Sequence, residues 1–271
     1  MIKNIPELDK LFQEIGEYRE SAEFKELLKF IKKFPKIAPY NAMLIHIQKP
    51  GSSFVASATT WMKKYKRRIT PGARPLVILR PFGPVAFVFD LSDTEGEKDF
   101  PEELLNPFGV KGKLHESYFS RLIDNMKCEG IRYNEADYGT NRAGQIGVRY
   151  SDIELIINKT NKEIRTKKLY DMVVNKNHEQ EVKFTTILHE LGHLYCGHLG
   201  SPYPKWWSDR RHLKLNEREF EAECTAWLVC ERMGINNPSS GYLNGYLDEN
   251  KTIPDISLDT VLKAVAQAVG Y

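Results

Sequence analysis

Several things are scarce in this chain, and each scarcity excludes something. Its 271 residues include only four cysteines, Cys128, Cys196, Cys224 and Cys230, and none stand at C-x-x-C spacing. That argues against a disulfide-stapled scaffold, a cysteine-built zinc site and a thioredoxin-type pair. Long apolar runs are missing too. No stretch approaches the ~18 apolar residues needed to span a membrane, and Met1 to Lys10 has no apolar segment of the kind a secretory leader needs. Charge of one sign is also missing. Lys and Arg number 39 against 36 Asp and Glu, so the net charge of +3 points to no partner by itself. Repeats and low-complexity tracts are absent. The remaining composition, 41% hydrophobic and 28% charged, is that of an ordinary globular chain with room for one large domain or two. The expected setting is a reducing cytoplasm, with Cys196, Cys224 and Cys230 as buried thiols.

Against that plain background one stretch stands out: Thr185-Thr186-Ile187-Leu188-His189-Glu190-Leu191-Gly192-His193. Phe184, Ile187, Leu188, Leu191 and Tyr195 recur at helical spacing, which predicts a helix with a buried stripe. On a helix, residues i and i+4 share a face, so the imidazoles of His189 and His193 can share one metal ion. Zn²⁺ accepts imidazole nitrogen well and, in catalytic sites, keeps a position open for water. Glu190, beside the first histidine, can reach a water whose pKa the metal lowers to about 7.

A catalytic zinc needs a third protein ligand. The next acidic cluster is Asn216-Glu217-Arg218-Glu219-Phe220-Glu221-Ala222-Glu223, which reads as the start of a second helix closed by Gly234. Glu219 and Glu223 lie on one face: one could bind zinc while the other accepts a hydrogen bond from a ligating imidazole. Glu217 and Glu221 form the competing pair. Asn216 and Glu219 also fit a capping box, which would occupy Glu219 at the helix end. His198, His212 and Tyr195 are left over, and any of them could stabilise an oxyanion.

Elsewhere the pattern is coarser. Residues 6 to 34 carry two helical stripes, Leu8, Leu11, Phe12 and Ile15, then Phe24, Leu27, Leu28 and Ile31. A helix is expected from Asn41 to Gln48, and a short one capped by Ser57 and carrying Trp61. The basic run around it, Lys63, Lys64, Tyr65, Lys66, Arg67 and Arg68, could hold a phosphate backbone by charge while an aromatic stacks on a base, or could be a solvated helix end. Leu76–Leu79 and Val85–Phe89 read as strands, and residues 91 to 112 as a domain boundary. A helix is expected over 115 to 127, strands at 146–149 and 153–157 joined at Tyr150-Ser151-Asp152, and a polar mobile cover over 159 to 177. The tryptophans of Tyr203-Pro204-Lys205-Trp206-Trp207 could line a cleft or pack the loop down. An Ala- and Val-rich helix, 257 to 269, closes the chain.

His189-Glu190-Leu191-Gly192-His193 with Glu219-x-Glu221-Ala222-Glu223-x-x-Ala226 resembles the ImmA/IrrE family of zinc metallopeptidases. The resemblance, over roughly residues 113 to 235, implies Zn²⁺ held by His189, His193 and Glu219, with Glu190 as general base and Glu223 behind a ligand. It implies an α+β, zincin-like domain from 113 to 271, and as substrate a specific cytoplasmic protein. By analogy, residues 153 to 158 would be the edge strand beside the cleft. Glu223 stands where that family has Asn or Asp, and Thr225 where it has Phe.

The front half resembles the N-terminal domain of ArdC-type antirestriction proteins. The residues that carry this are Asn41-Ala42-x-Leu44, Gln48-Lys49-Pro50, the Trp61 segment, Gly72 to Leu79 and Phe89-Asp90-Leu91-Ser92-Asp93-Thr94-Glu95-Gly96. This implies a smaller α+β domain over residues 1 to 112 that binds single-stranded DNA, with Trp61 and the basic run as contacts. The family's Gly-rich turn after the Trp is replaced here by Lys64 to Arg68.

Overall fold

The structure, a computed structural model, describes residues 21–80, 84–96, 100–101, 114–138, 143–159, 162–203, 205–235 and 253–269. The Leu8 to Ile15 stripe and most of the stretch from 91 to 112 fall outside these residues. The described chain mixes helices with small sheets, an α+β arrangement.

The front half begins with α1 (Ser21–Lys32) and α2 (Pro39–Gln48), followed by β1 (Val55–Ala56) and α3 (Ala58–Tyr65). Strands β2 (Arg68–Ile69), β3 (Leu76–Leu79), β4 (Val85–Asp90) and β5 (Thr94–Glu95) come next. They form a three-stranded sheet in the order β1-β4-β3 and a two-stranded β2-β5 ladder, all antiparallel. The free edge of β3 is covered by side chains of α2. Asn41 donates to Leu79 O at 3.0 Å and accepts from Leu79 N at 2.9 Å. Gln48, two helical turns on, does the same with Val77 at 2.9 and 2.8 Å. Each amide replaces the paired donor and acceptor of a neighbouring strand, which satisfies an otherwise open edge. Asp90, buried, accepts from the backbone of Ser53, Phe54 and Ser92, so it ties β4 to the approach of β1.

In the second half, α4 (Glu116–Cys128) packs on β6 (Ile131–Ala136). Strands β7 (Gly144–Lys159) and β8 (Lys162–Asn175) complete a sheet of order β6-β8-β7. β6 runs parallel to β8, and β7 antiparallel to it. Helices α5 (Gln180–Tyr195), α6 (Leu215–Met233) and α7 (Leu258–Val269) pack on one another, and α5 lies across β7 and β8.

Two expectations are corrected here. The pair of strands at 146–149 and 153–157 is one long strand with an irregular register between Tyr150 and Leu155. The polar stretch from 159 to 177 is no cover over the site: β8 is the central strand of its sheet. Its signal was the burial alternation Tyr170, Met172, Val174. The charged residues before it extend past β6 as a two-stranded ribbon with β7.

The apolar core runs through both halves. Phe24, Leu27, Leu28 and Ile31 of α1 and Met43 and Ile45 of α2 join the cluster that contains Leu188, Leu191, Phe220 and Leu262. Arg232 of α6, buried, donates to the carbonyls of Ile31, Pro35 and Ile37, closing the end of α1. Residue 112, the expected boundary, lies outside the described residues.

Candidate metal centre

The site is built where α5 crosses α6. At the crossing, a Cβ on Gly192 would come within 2.8 Å of the Ala222 Cα, so the helices approach to backbone contact there. Glu219 stands about one turn before Ala222, and Glu223 is the residue next to it. They are thereby carried to the face of α5 that bears His189 and His193.

His189 Nε2 lies 3.4 Å from Glu219 Oε2, and His193 Nε2 lies 3.5 Å from Glu219 Oε1. These separations are long for charge-assisted hydrogen bonds, which run to about 2.7–2.9 Å. They match the distance between two donors of a tetrahedral shell, about 3.4 Å when each is 2.0–2.2 Å from a zinc ion. All three residues are half-buried and converge on one point. Two imidazoles and a carboxylate are a set that Zn²⁺ takes well, though Fe, Ni and Mn also accept it.

The outer nitrogen of His189 is held differently. Its Nδ1 meets Glu223 Oε2 at 3.0 Å, a true hydrogen bond. Burial depresses the proton affinity of His189, but contact with Glu219 and Glu223 more than offsets this and raises its pKa to about 10. Glu190 faces the same cavity and accepts the backbone N–H of Ile146 on β7 at 3.0 Å. Burial raises its pKa above the ordinary carboxylate value, in the direction that suits a proton carrier near neutrality. A cavity of about 250 Å³ opens beside this group, lined by Gly144, Thr185, Thr186, His189, Glu190 and Glu223.

The four carboxylates of α6 have separate places. Glu217 accepts the Lys214 backbone N–H at 2.9 Å and closes the helix start. The helix begins at Leu215, two residues earlier than a cap by Asn216 would require, and this leaves Glu219 to the histidines. Glu221 points away from the cavity. It is buried, holds Arg210 through both oxygens and accepts from His198 Nε2 and the Ser257 backbone.

Cys196, His198 and Glu221 also cluster, but not in a way that suits a metal ion. Both ring nitrogens of His198 and both oxygens of Glu221 are already engaged, and the Arg210 guanidinium occupies the place a cation would take. Burial pushes the Cys196 thiol pKa far up, which disfavours the thiolate a metal needs.

Two of the candidates for an oxyanion donor do not face the cavity. Tyr195 is buried and donates to Glu129 at 2.8 Å. His198 is buried behind His193. His212 is exposed on the loop before α6. Trp207 packs on Tyr195 and donates to Gly200 O, so it anchors its loop. The part of β7 beside the site is the stretch near Ile146, and residues 153 to 158 lie further along the strand, from its irregular register onward.

In the front half, Ser57 caps α3 through the Thr60 N–H. Trp61 is fully buried and donates to Phe89 O at 2.9 Å, among Phe54, Tyr65 and Phe100. An indole so placed has no face to offer a base. Arg67 is turned onto Thr94. Lys63, Lys64, Lys66 and Arg68 are exposed. Lys66 itself takes the left-handed conformation, φ 56°, where a glycine would be at ease.

No family model matches the chain, and no curated protein does. Among solved structures the chain is similar to the metal-free crystal structure of the antirestriction protein ArdC from the R388 plasmid. Identity is 15% and the TM-score 0.36, over 84% of this chain and 81% of that one. What the site can do is decided by its own side chains.

Proposed function

We propose that the protein is a zinc-dependent peptidase acting on a peptide bond of a specific protein substrate. The observation that supports this best is the meeting of His189, His193 and Glu219 on one point next to Glu190. His189 Nε2, His193 Nε2 and the Glu219 carboxylate would hold the ion. When bound, it would supply a Lewis acid that acidifies water and polarises a carbonyl. Glu190 would take a proton from the attacking water and hand it to the leaving amine. A purely structural site has no use for such a carboxylate. The substrate would lie extended along β7. In an antiparallel ladder alternate residues turn their backbone groups away from the partner. Since Ile146 turns its N–H to Glu190, Gly144 and Val148 would turn theirs the same way, towards a strand added at that edge. Metal analysis of the purified protein, joined to wild type against Glu190→Gln on candidate protein substrates, tests this. A protein that binds no metal ion at this site would overturn it.

A second reading concerns the front half: contact with single-stranded nucleic acid. It is favoured by the four exposed cations Lys63, Lys64, Lys66 and Arg68. Next to them is a hollow of about 150 Å³ lined by Phe34, Phe54 and Tyr65 and rimmed by Lys33, Lys36 and Lys64. Cations around an aromatic floor suit phosphates and bases. The two readings are compatible, and the fold-level likeness to an antirestriction protein decides neither. No helix among the described residues is long and apolar enough to cross a membrane.

A further inference from the structure

The two histidines of the site are backed in different ways. His189 reaches a carboxylate directly, Glu223 at 3.0 Å. The outer nitrogen of His193 reaches one through another ring: its Nδ1 lies 3.0 Å from His198 Nδ1, and His198 Nε2 lies 2.9 Å from Glu221 Oε2. Beyond Glu221 stands Arg210, paired to both oxygens.

His198 is placed there by how α5 ends. Gly197 follows the helix with φ +81°, and a Cβ on it would strike the Ser208 carbonyl. His198 N–H returns to His193 O and Gly197 N–H to Leu194 O. Those two bonds form a Schellman turn, which folds the residue after the glycine back over the last turn of the helix. The fold thus sets the His198 ring behind the ring of His193.

With His198 neutral, the chain of contacts has one direction. Glu221, paired with a guanidinium, is a carboxylate and can only accept. His198 Nε2 must therefore donate. Arg210 already supplies the cation that Glu221 needs, so His198 completes the pair as a neutral ring with one N–H, and its Nδ1 can only accept. His193 Nδ1 must then carry a proton, and its lone pair is left on Nε2, the atom that faces Glu219.

We propose that His198 is a positioning residue that fixes the tautomer and orientation of His193, through a relay from Arg210 and Glu221, so that Nε2 is presented as a metal ligand. This rests on the metal-site reading above. Partners of this kind behind a ligating histidine typically matter about 10–100-fold in metal affinity.

Zn²⁺ affinity measured by competition with a chromophoric chelator tests both levels separately. Wild type should bind one ion, and Glu219→Ala much more weakly; equal binding by these two would sink the metal-site reading itself. With that reading standing, His198→Phe should lose about 10–100-fold. His198→Gln, whose amide can accept from one side and donate to the other, should recover most of the loss. Unchanged affinity in His198→Phe, or a Gln variant as weak as Phe, would overturn the relay. Should His198→Phe fail to fold, nitrogen NMR of the zinc-loaded wild type decides. A proton on His193 Nδ1 with scalar coupling to His198 Nδ1 is expected, and a proton resident on His198 Nδ1 would overturn the proposal.

Discussion

Gly192 and Ala222 meet backbone to backbone. A Cβ on Gly192 would lie 2.8 Å from the Ala222 Cα and 2.9 Å from its carbonyl oxygen. The glycine of the His189-to-His193 motif is thus what lets α6 bring Glu219 and Glu223 to the histidines.

Two effects oppose each other in Gly192→Ala. Helix propensity alone would stabilise by about 1 kcal/mol. Overpacking against backbone that cannot rotate away costs about 1–3 kcal/mol. The collision should win, giving a net loss in chemical denaturation and weaker metal binding, because Glu219 moves with α6. A stabilised variant with intact metal affinity would contradict this account of the crossing.

Glu190→Gln removes a proton carrier and no metal donor. It should keep the metal stoichiometry of wild type while hydrolysis falls by about 10²–10⁴-fold or more. Glu219→Gln should show the reverse order of loss, metal first. Mass spectrometry of the native protein and a cleavage assay on the same preparations distinguish the two.

Metal uptake should release a proton. Free of metal, His189 has a pKa raised to about 10, because Glu219 and Glu223 outweigh its burial. At neutral pH it is therefore charged, and that proton must leave before Nε2 can bind an ion. Affinity should rise with pH by about a factor of ten per unit between pH 6 and 9 from this group alone. Calorimetry in buffers of different ionisation enthalpy counts the protons. Release of none at pH 7 would show that His189 is neutral before the metal arrives.

Arg232→Ala should loosen the front of the molecule from the back. It strips donors from the carbonyls of Ile31, Pro35 and Ile37. Hydrogen bonds to a charged group contribute about 1.5–3 kcal/mol each, so a loss of at least about 2 kcal/mol is expected. Urea unfolding with limited proteolysis near Pro35 would report it.

For the nucleic-acid reading, four exposed cations are available, since Arg67 is held by Thr94. If all four touch phosphates of a single strand, log K should fall with log salt at a slope of about −3. Replacing Lys63, Lys64, Lys66 and Arg68 with Ala should flatten it and leave metal content alone. Trp61→Ala should instead cost about 3–5 kcal/mol of stability, as a core truncation. No binding to single strands at low salt would end this reading.

Sequence alone determined the parts of this protein that depend on neighbours along the chain. The helical period of Phe184 to Tyr195 and the spacing of His189 and His193 fix their shared face whatever surrounds them. Ser57 likewise caps its own helix through a residue three positions on. Spacing also narrowed the candidates for a third donor to α6, and there it stopped, because Glu217, Glu219, Glu221 and Glu223 look alike in a string of letters. Tertiary structure separated them. The crossing at Gly192 and Ala222 sets the rotation of α6 against α5, so one carboxylate closes the helix, one faces the two imidazoles, one meets Arg210 and one meets His189. The burial of Trp61 was decided the same way, by Phe89 and Phe100 arriving from elsewhere in the chain. So was that of the stretch before α5. Its charges read as a solvated cover, while Lys168 and Tyr170 of β8 hold the loop at Leu199 and Gly200. Contacts between residues distant in sequence leave no period behind, and only the folded chain brings them together.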